Sequence, residues 1–179
     1  MLILFEIMKK ENENYIRISL TDLESSKILY DNKKYPQAIF FLQQSVEKTT
    51  KGITGVHEER HRTWKPYEKI AKESNGEIRK LKEIKVIDEK ILIAFLKVIR
   101  GLLFKIESGK SRLKAGKMTI PNMLLQHILT DHVNISRYPK GAYTPLEKYT
   151  KDHFLIKHYI EIHNIQKECL KECFKFFPK

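Results

Sequence analysis

Four side chains within one short stretch carry groups that a phosphate or a partner surface would use. In Phe41-Leu42-Gln43-Gln44-Ser45-Val46-Glu47-Lys48-Thr49-Thr50-Lys51, the residues Gln44, Glu47, Lys48 and Lys51 recur at helical spacing, with Phe40 at their edge. Ile39, Leu42, Val46 and Ile53 make an apolar stripe on roughly the opposite side. A solvated face rarely needs a phenylalanine beside it, so this second face reads as an interface or a site. The plainer alternative is a surface ion pair, because Glu47 leads Lys51 by four residues. Such a pair is worth about 0.3–0.5 kcal/mol when exposed.

Two further constellations could meet that face. Arg60, His61, Arg62 and Trp64 lie just beyond it. Guanidinium forks grip phosphates, an indole stacks a base, and an imidazole shuttles protons near neutral pH. The alternative is a solvated basic loop anchored to the core by Trp64. In Arg137-Tyr138-Pro139 the proline stops a helix and sets where Arg137 and Tyr138 point. A guanidinium held there binds a phosphate or pins Glu47.

The histidines argue against a metal centre. His127 and His132 are five apart, as are His153 and His158, and His158 and His163. Five residues turn side chains about 140° apart on a helix, whereas ligands on one helix want spacings of three or four. The chain has no glycine-rich phosphate loop, nucleophile elbow or dinucleotide fingerprint. No metal and no cofactor is expected.

These residues must be positioned by a chain of 179 residues, which implies one domain. Seven glycines and six prolines are sparse punctuation, favouring long helices. The excess of 34 Lys and Arg over 22 Asp and Glu gives +12, which points to an acidic partner such as RNA, DNA, a nucleotide or an acidic protein surface. The same lysines, scattered along the chain, equally read as solvation of helix surfaces. Cys169 and Cys173 sit one helical turn apart on an apolar stripe with Leu155, Tyr159, Ile162 and Phe177, so they read as core. Nothing suggests a disulfide framework, and a reducing cytoplasm is the default compartment. The apolar Met1–Met8 is too short for a membrane span and reads as a short strand or a clip.

The expected architecture is an all-α, up-and-down bundle of four to five helices. Residues 1–13 form an N-terminal extension and 14–179 the bundle. A first helix runs from about Asn14 to Tyr30, and a second from Tyr35 to about Thr54, with Pro36 in its first turn and Gly52 and Gly55 at its end. Their short link makes them antiparallel. A third, elongated helix is expected over Glu77–Glu107, bent near Asp88, followed by a basic loop at about 108–117. Thr119 and Pro121 signal the start of a fourth helix that fades near Ile135. Thr150 caps a long last helix over Lys151–Phe176.

The order Asp22-Leu23, a polar turn, Tyr35, then Phe41-x-x-Gln44-x-x-Glu47-Lys48-x-x-Lys51, His61 and Arg137-Tyr138-Pro139 before a long helix resembles the HEPN family. The resemblance implies a helical bundle, usually a homodimer, often the partner of a minimal nucleotidyltransferase in toxin–antitoxin-like pairs. It implies nucleotide or RNA binding, and in some members metal-independent RNA cleavage. The site residues it suggests are Gln44, Glu47, Lys48, Lys51, His61, Arg137 and Tyr138. Family ribonucleases carry an Arg followed after four to six residues by a His, and this chain lacks that motif, since Arg137 meets no histidine before His153. A binding or regulatory role is therefore expected over catalysis. The alternatives are a ribonuclease using Arg137 and His61, and a ligand-free interaction module.

Overall fold

The computed structural model describes residues 2–55, 87–107, 116–139, 141 and 143–175. Among them are five long helices, α1 (Leu2–Asp31), α2 (Tyr35–Thr54), α3 (Glu89–Glu107), α4 (Gly116–Leu129) and α8 (Tyr159–Phe174), and three single turns, α5 (His132–Ile135), α6 (Pro145–Lys148) and α7 (Phe154–Lys157). The described residues contain no β-strand, so the fold is the all-α bundle expected.

Local chemistry sets the first helix pair. Asn32 Nδ2 donates to the Ile28 carbonyl at 2.8 Å, and Lys33 takes a left-handed φ of 60°. The chain reverses there, and α2 opens with Pro36 in its first turn, where the missing N–H costs no intrahelical bond. Gly55 closes α2 at φ 66°, its N–H donating to the Lys51 carbonyl. Gly52, read from sequence as part of a fraying end, does something else. A Cβ there would stand 2.6 Å from Ile16 Cδ1 and 2.9 Å from the Asn12 carbonyl, so the missing side chain lets α1 and α2 touch.

A polar seam runs through the same contact. Ser19 donates to the Ser45 carbonyl at 2.7 Å and lies 2.6 Å from Thr49 Oγ1. From α8, Gln166 Nε2 donates to Ser45 Oγ and Thr49 Oγ1 at 3.1 and 2.8 Å. Ser26 donates to the Ala38 carbonyl at 2.7 Å, which leaves the Tyr159 hydroxyl to donate to Ser26 at 2.6 Å. These small hydroxyl residues keep the helices close while satisfying buried polar atoms.

Around the seam the core is apolar. Ile16 and Leu23 of α1, Ile39, Leu42 and Val46 of α2, Phe95 and Ile99 of α3, and Tyr159 and Ile162 of α8 are all buried. α4 is the central element, with every residue from Thr119 to Gln126 buried. It packs on α2 and α8, and α3 rests on α4. Cys169 and Cys173 are buried in this core, where burial raises both thiols, Cys173 to about 12.

Four boundaries differ from the sequence reading. Residues 2–8 are helical, and α1 runs unbroken through Asn14. Asp88 marks a start and not a bend: Ile87 and Asp88 are outside any helix, and Asp88 Oδ1 accepts from the Ile91 N–H at 2.8 Å, as a capping side chain does. Thr119 and Pro121 lie inside α4, which begins at Gly116. The expected last helix over Lys151–Phe176 is two pieces: His153, not Thr150, caps α7, and a break at His158 precedes α8. The separate turn α6 lies before it, capped by Thr144 in a reciprocal box with Glu147. The proposed helical residues 77–86 and most of the basic loop, 108–115, lie outside the described residues.

Candidate phosphate-binding face

The face of α2 carrying Phe40, Gln44, Glu47 and Lys51 is organised around a buried carboxylate. Glu47 is 6% exposed, and Lys51 Nζ lies 3.0 Å from it. Gln43 Nε2 donates to Glu47 at 3.1 Å, and Gln44 Nε2 donates to Gln43 Oε1 at 2.7 Å. The Lys51 ammonium also stands 5.8 Å from the centre of the Tyr15 ring of α1. This is not the solvated ion pair of the plainer sequence reading. The carboxylate has left water, and its charge is held by a lysine and an amide.

Lys48 points elsewhere. It pairs with Asp22 of α1, across the interface between the two helices. Asp22 is 7% exposed. Burial pushes its carboxyl above the ordinary value, while the hydrogen bond and charge of Lys48 pull it back down. Two of the cations named from sequence therefore neutralise buried carboxylates.

Arg137 is held differently. The Asn134 carbonyl accepts from the N–H groups of both Arg137 and Tyr138, at 3.2 and 3.0 Å, winding one last turn after α5 before Pro139. The turn brings the guanidinium against two rings. Its central carbon lies 4.9 Å from the Phe40 centroid and 5.0 Å from that of Tyr138. Arg137 and Tyr138 are exposed, and Phe40 is half-buried. Among the described residues no carboxylate comes within ion-pair distance of Arg137. Phe40 on the second face of α2 is thus explained: it is the platform under the arginine, at the opposite end of that face from Lys51.

Beyond α5 the chain builds a cluster the sequence reading did not anticipate. His132 Nδ1 lies 2.6 Å from the Tyr149 hydroxyl, and the His153 ring stacks on Phe154 at 4.5 Å and meets the His132 ring edge-on at 5.9 Å. Burial pushes His132 down to about 3, helped by the charges of His153 and Lys148, and His153 down to about 4. Burial raises the Tyr149 hydroxyl. Both imidazoles are neutral at pH 7, and the pair ties α5 to the stretch between α6 and α7. Among the described residues no group of His, Cys, Asp and Glu is placed to hold a metal ion.

Of the residues singled out from sequence, Phe40, Arg137 and Tyr138 are together, and Gln44, Glu47 and Lys51 form a second group along the same helix face. Lys48 belongs to the α1–α2 interface. His61 lies outside the described residues, with Arg60, Arg62 and Trp64. Sequence reasoning missed Gln43 and the anchoring role of Asp22. Asp22 carried a signal, being a carboxylate next in sequence to Leu23, a core residue of α1. The His132–Tyr149 contact spans 17 residues and carried none.

An all-α bundle with this helix pair and an Arg-Tyr-Pro exit defines a class of helical domain. The chain belongs to the HEPN domain family, whose model matches residues 12–169. No curated protein and no solved structure matches it. Membership fits a nucleotide- or RNA-related or regulatory role. Among the described residues no helix is long and apolar enough to cross a membrane.

Proposed function

We propose that this HEPN domain holds the phosphate of a nucleotide or an RNA at Arg137, and that it serves as the binding or regulatory partner of a minimal nucleotidyltransferase. The observation that carries the phosphate reading is the state of Arg137. Its guanidinium lies 4.9 and 5.0 Å from the centres of the Phe40 and Tyr138 rings, is exposed, and is unmatched by a carboxylate among the described residues. A planar fork pre-aligned in this way offers donors to phosphate oxygens at little further entropic cost. Tyr138 offers a ring on which a base stacks. Lys48 and Lys51 serve the framework, since their charges are spent on Asp22 and Glu47. The net charge of +12 supplies long-range attraction for a polyanion. The nucleotidyltransferase partnership is supported by the family pattern Gln44-x-x-Glu47-Lys48-x-x-Lys51.

Fluorescence titration of a labelled RNA oligomer and of ATP at several salt concentrations tests this. Binding should weaken steeply with salt. Arg137→Ala should lose about tenfold in affinity, the size of one good phosphate contact. Salt-insensitive binding, or wild-type affinity in the variant, would sink the phosphate reading. Copurification with a nucleotidyltransferase encoded beside this chain tests the partnership separately. RNA that stays intact through the titration argues against a ribonuclease, and cleavage abolished by Arg137→Ala would revive it.

A further inference from the structure

Arg137 and Tyr138 lie on a loop whose two ends are fastened together. His132 opens α5 and Tyr149 follows α6, and their side chains meet at His132 Nδ1 and the tyrosine hydroxyl. The contact is dry, with Tyr149 1% and His132 7% exposed. It closes the chain from 133 to 148 into a loop, with Arg137 on the first limb. Between the fastening and the guanidinium the backbone is hydrogen-bonded turn by turn. The Ser136 N–H donates to the His132 carbonyl at 2.9 Å, and the Asn134 carbonyl accepts from Arg137 and Tyr138. The way His132 is held therefore sets where the last turn points Arg137, and that direction brings it against Phe40.

The cluster works only with neutral rings. His153 Nδ1 accepts from the Leu155 N–H at 3.2 Å as the cap of α7, so a proton on that nitrogen would set donor against donor. A protonated His132 would be a buried cation. The charges that act on it are those of His153 and Lys148, and the charge that acts on His153 is that of Lys148. No charge from α2, which also packs on α5, is among them. The neighbouring carboxylates Asp131 and Asp152 are exposed, and neither lies within ion-pair distance of either ring. A proton taken up in this cluster thus meets cations and no carboxylate.

We infer that the His132–Tyr149 fastening, backed by His153, is the positioning device of Arg137, and that acid releases the arginine by opening it. The inference rests on the phosphate reading above. At pH 5 an ordinary imidazole in water favours its protonated form by about 30-fold, and each ring that opens adds that pull. The expected direction runs against the background, because acid makes a basic chain more cationic and by charge alone tightens its hold on RNA.

Titration of a uridine oligomer, whose bases and phosphodiesters do not titrate between pH 7 and 5, tests this on the full chain at fixed salt. Wild-type affinity should fall by about tenfold from pH 7 to pH 5, the loss expected of Arg137→Ala at pH 7. Arg137→Ala has no arginine left to release and should bind at pH 5 as well as at pH 7, or better. His132→Gln combined with His153→Asn keeps a hydrogen-bonding amide at each position and removes both titrating rings, so its affinity at pH 5 should match its own at pH 7. If the double variant does not fold, the profiles of the wild type and Arg137→Ala decide. The far-ultraviolet circular dichroism of the wild type should stay native at pH 5, since only the loop opens. A wild type whose affinity holds at pH 5, an equal fall in Arg137→Ala or in the folded double variant, or loss of the helical signal at pH 5 would overturn the inference and leave the phosphate reading standing on the pH 7 effect of Arg137→Ala. Wild-type affinity of Arg137→Ala at pH 7 would overturn both.

Discussion

The two places where this protein keeps cations near the second face of α2 are built on opposite terms. Between α1 and α2, Lys48 and Lys51 are matched one to one with Asp22 and Glu47, and the carboxylates are nearly out of water. At the exit of α5, Arg137 lies against two rings and meets no carboxylate among the described residues. The first arrangement is complete within the chain, and removing a partner there strands a buried charge. The second is not completed by any carboxylate among the described residues, so loss of Arg137 strands no buried charge there. The difference separates residues that position from residues that bind, although the family resemblance had put them in one set of site residues.

The sharpest way to break this contrast is Lys48→Met. It leaves the Asp22 carboxylate buried without its cation and should cost about 3 kcal/mol at pH 7 in urea unfolding. Losing Lys48 also removes the influence that lowers the Asp22 carboxyl, so its folded value rises further above the unfolded one. A carboxyl raised in the native state destabilises when ionised, so the deficit should shrink as pH falls toward 4 and Asp22 takes up a proton. A pH-independent deficit would mean that Lys48 matters for packing alone.

Next in size is the acid response of the His132–Tyr149–His153 cluster. Both imidazoles are depressed in the fold, to about 3 and about 4, from an ordinary 6.5. The unfolded chain therefore takes up protons below pH 6.5 that the native chain refuses. The associated stability is present above that pH and lost progressively as pH falls toward the folded values. For His132 alone the loss at pH 5 is about 2 kcal/mol, at about 1.4 kcal/mol per pH unit. His132→Gln should flatten the stability profile between pH 7 and 5, and an unchanged slope would assign the acid sensitivity elsewhere.

The smallest expected effect is on the binding side. Arg137→Ala should change unfolding free energy by less than about 0.5 kcal/mol, as exposed substitutions do, even as RNA affinity drops. A loss comparable to that of Lys48→Met would show that Arg137 is framework after all.

Much of the fold was legible because its punctuation is chemical. Pro36 and Gly55 bracket α2, and the predicted span Tyr35 to Thr54 matches the observed one. Boundaries without Pro or Gly were not legible. Asp88 sits inside an unbroken apolar periodicity, so a cap looked like a bend. The break at His158 has no breaker residue, and the cap of α7 is a histidine, an uncommon choice. The Thr144–Glu147 box stands in the sequence as Thr-x-x-Glu with Pro145 at the first helical position, a start signal the sequence reading did not use. The site divides in the same way. The arginine and tyrosine were legible from the proline that follows them. The Glu47–Lys51 pair was legible from its spacing of four, but the Lys48–Asp22 pair was not, because its members are 26 residues apart and meet only through tertiary packing.

The polar seam also has a meaning in time. Ser19, Ser26, Ser45 and Thr49 belong to the first two helices, but Gln166 and Tyr159 complete their hydrogen bonding from as far as 133 residues downstream. At about 5–20 residues per second, a ribosome finishes the α1–α2 hairpin roughly 6–25 s before it supplies Gln166. Throughout that interval the hairpin exposes a row of hydroxyls, which water satisfies at no cost, where an all-aliphatic seam would expose sticky surface. That part of the seam is therefore closed only when the end of the chain arrives.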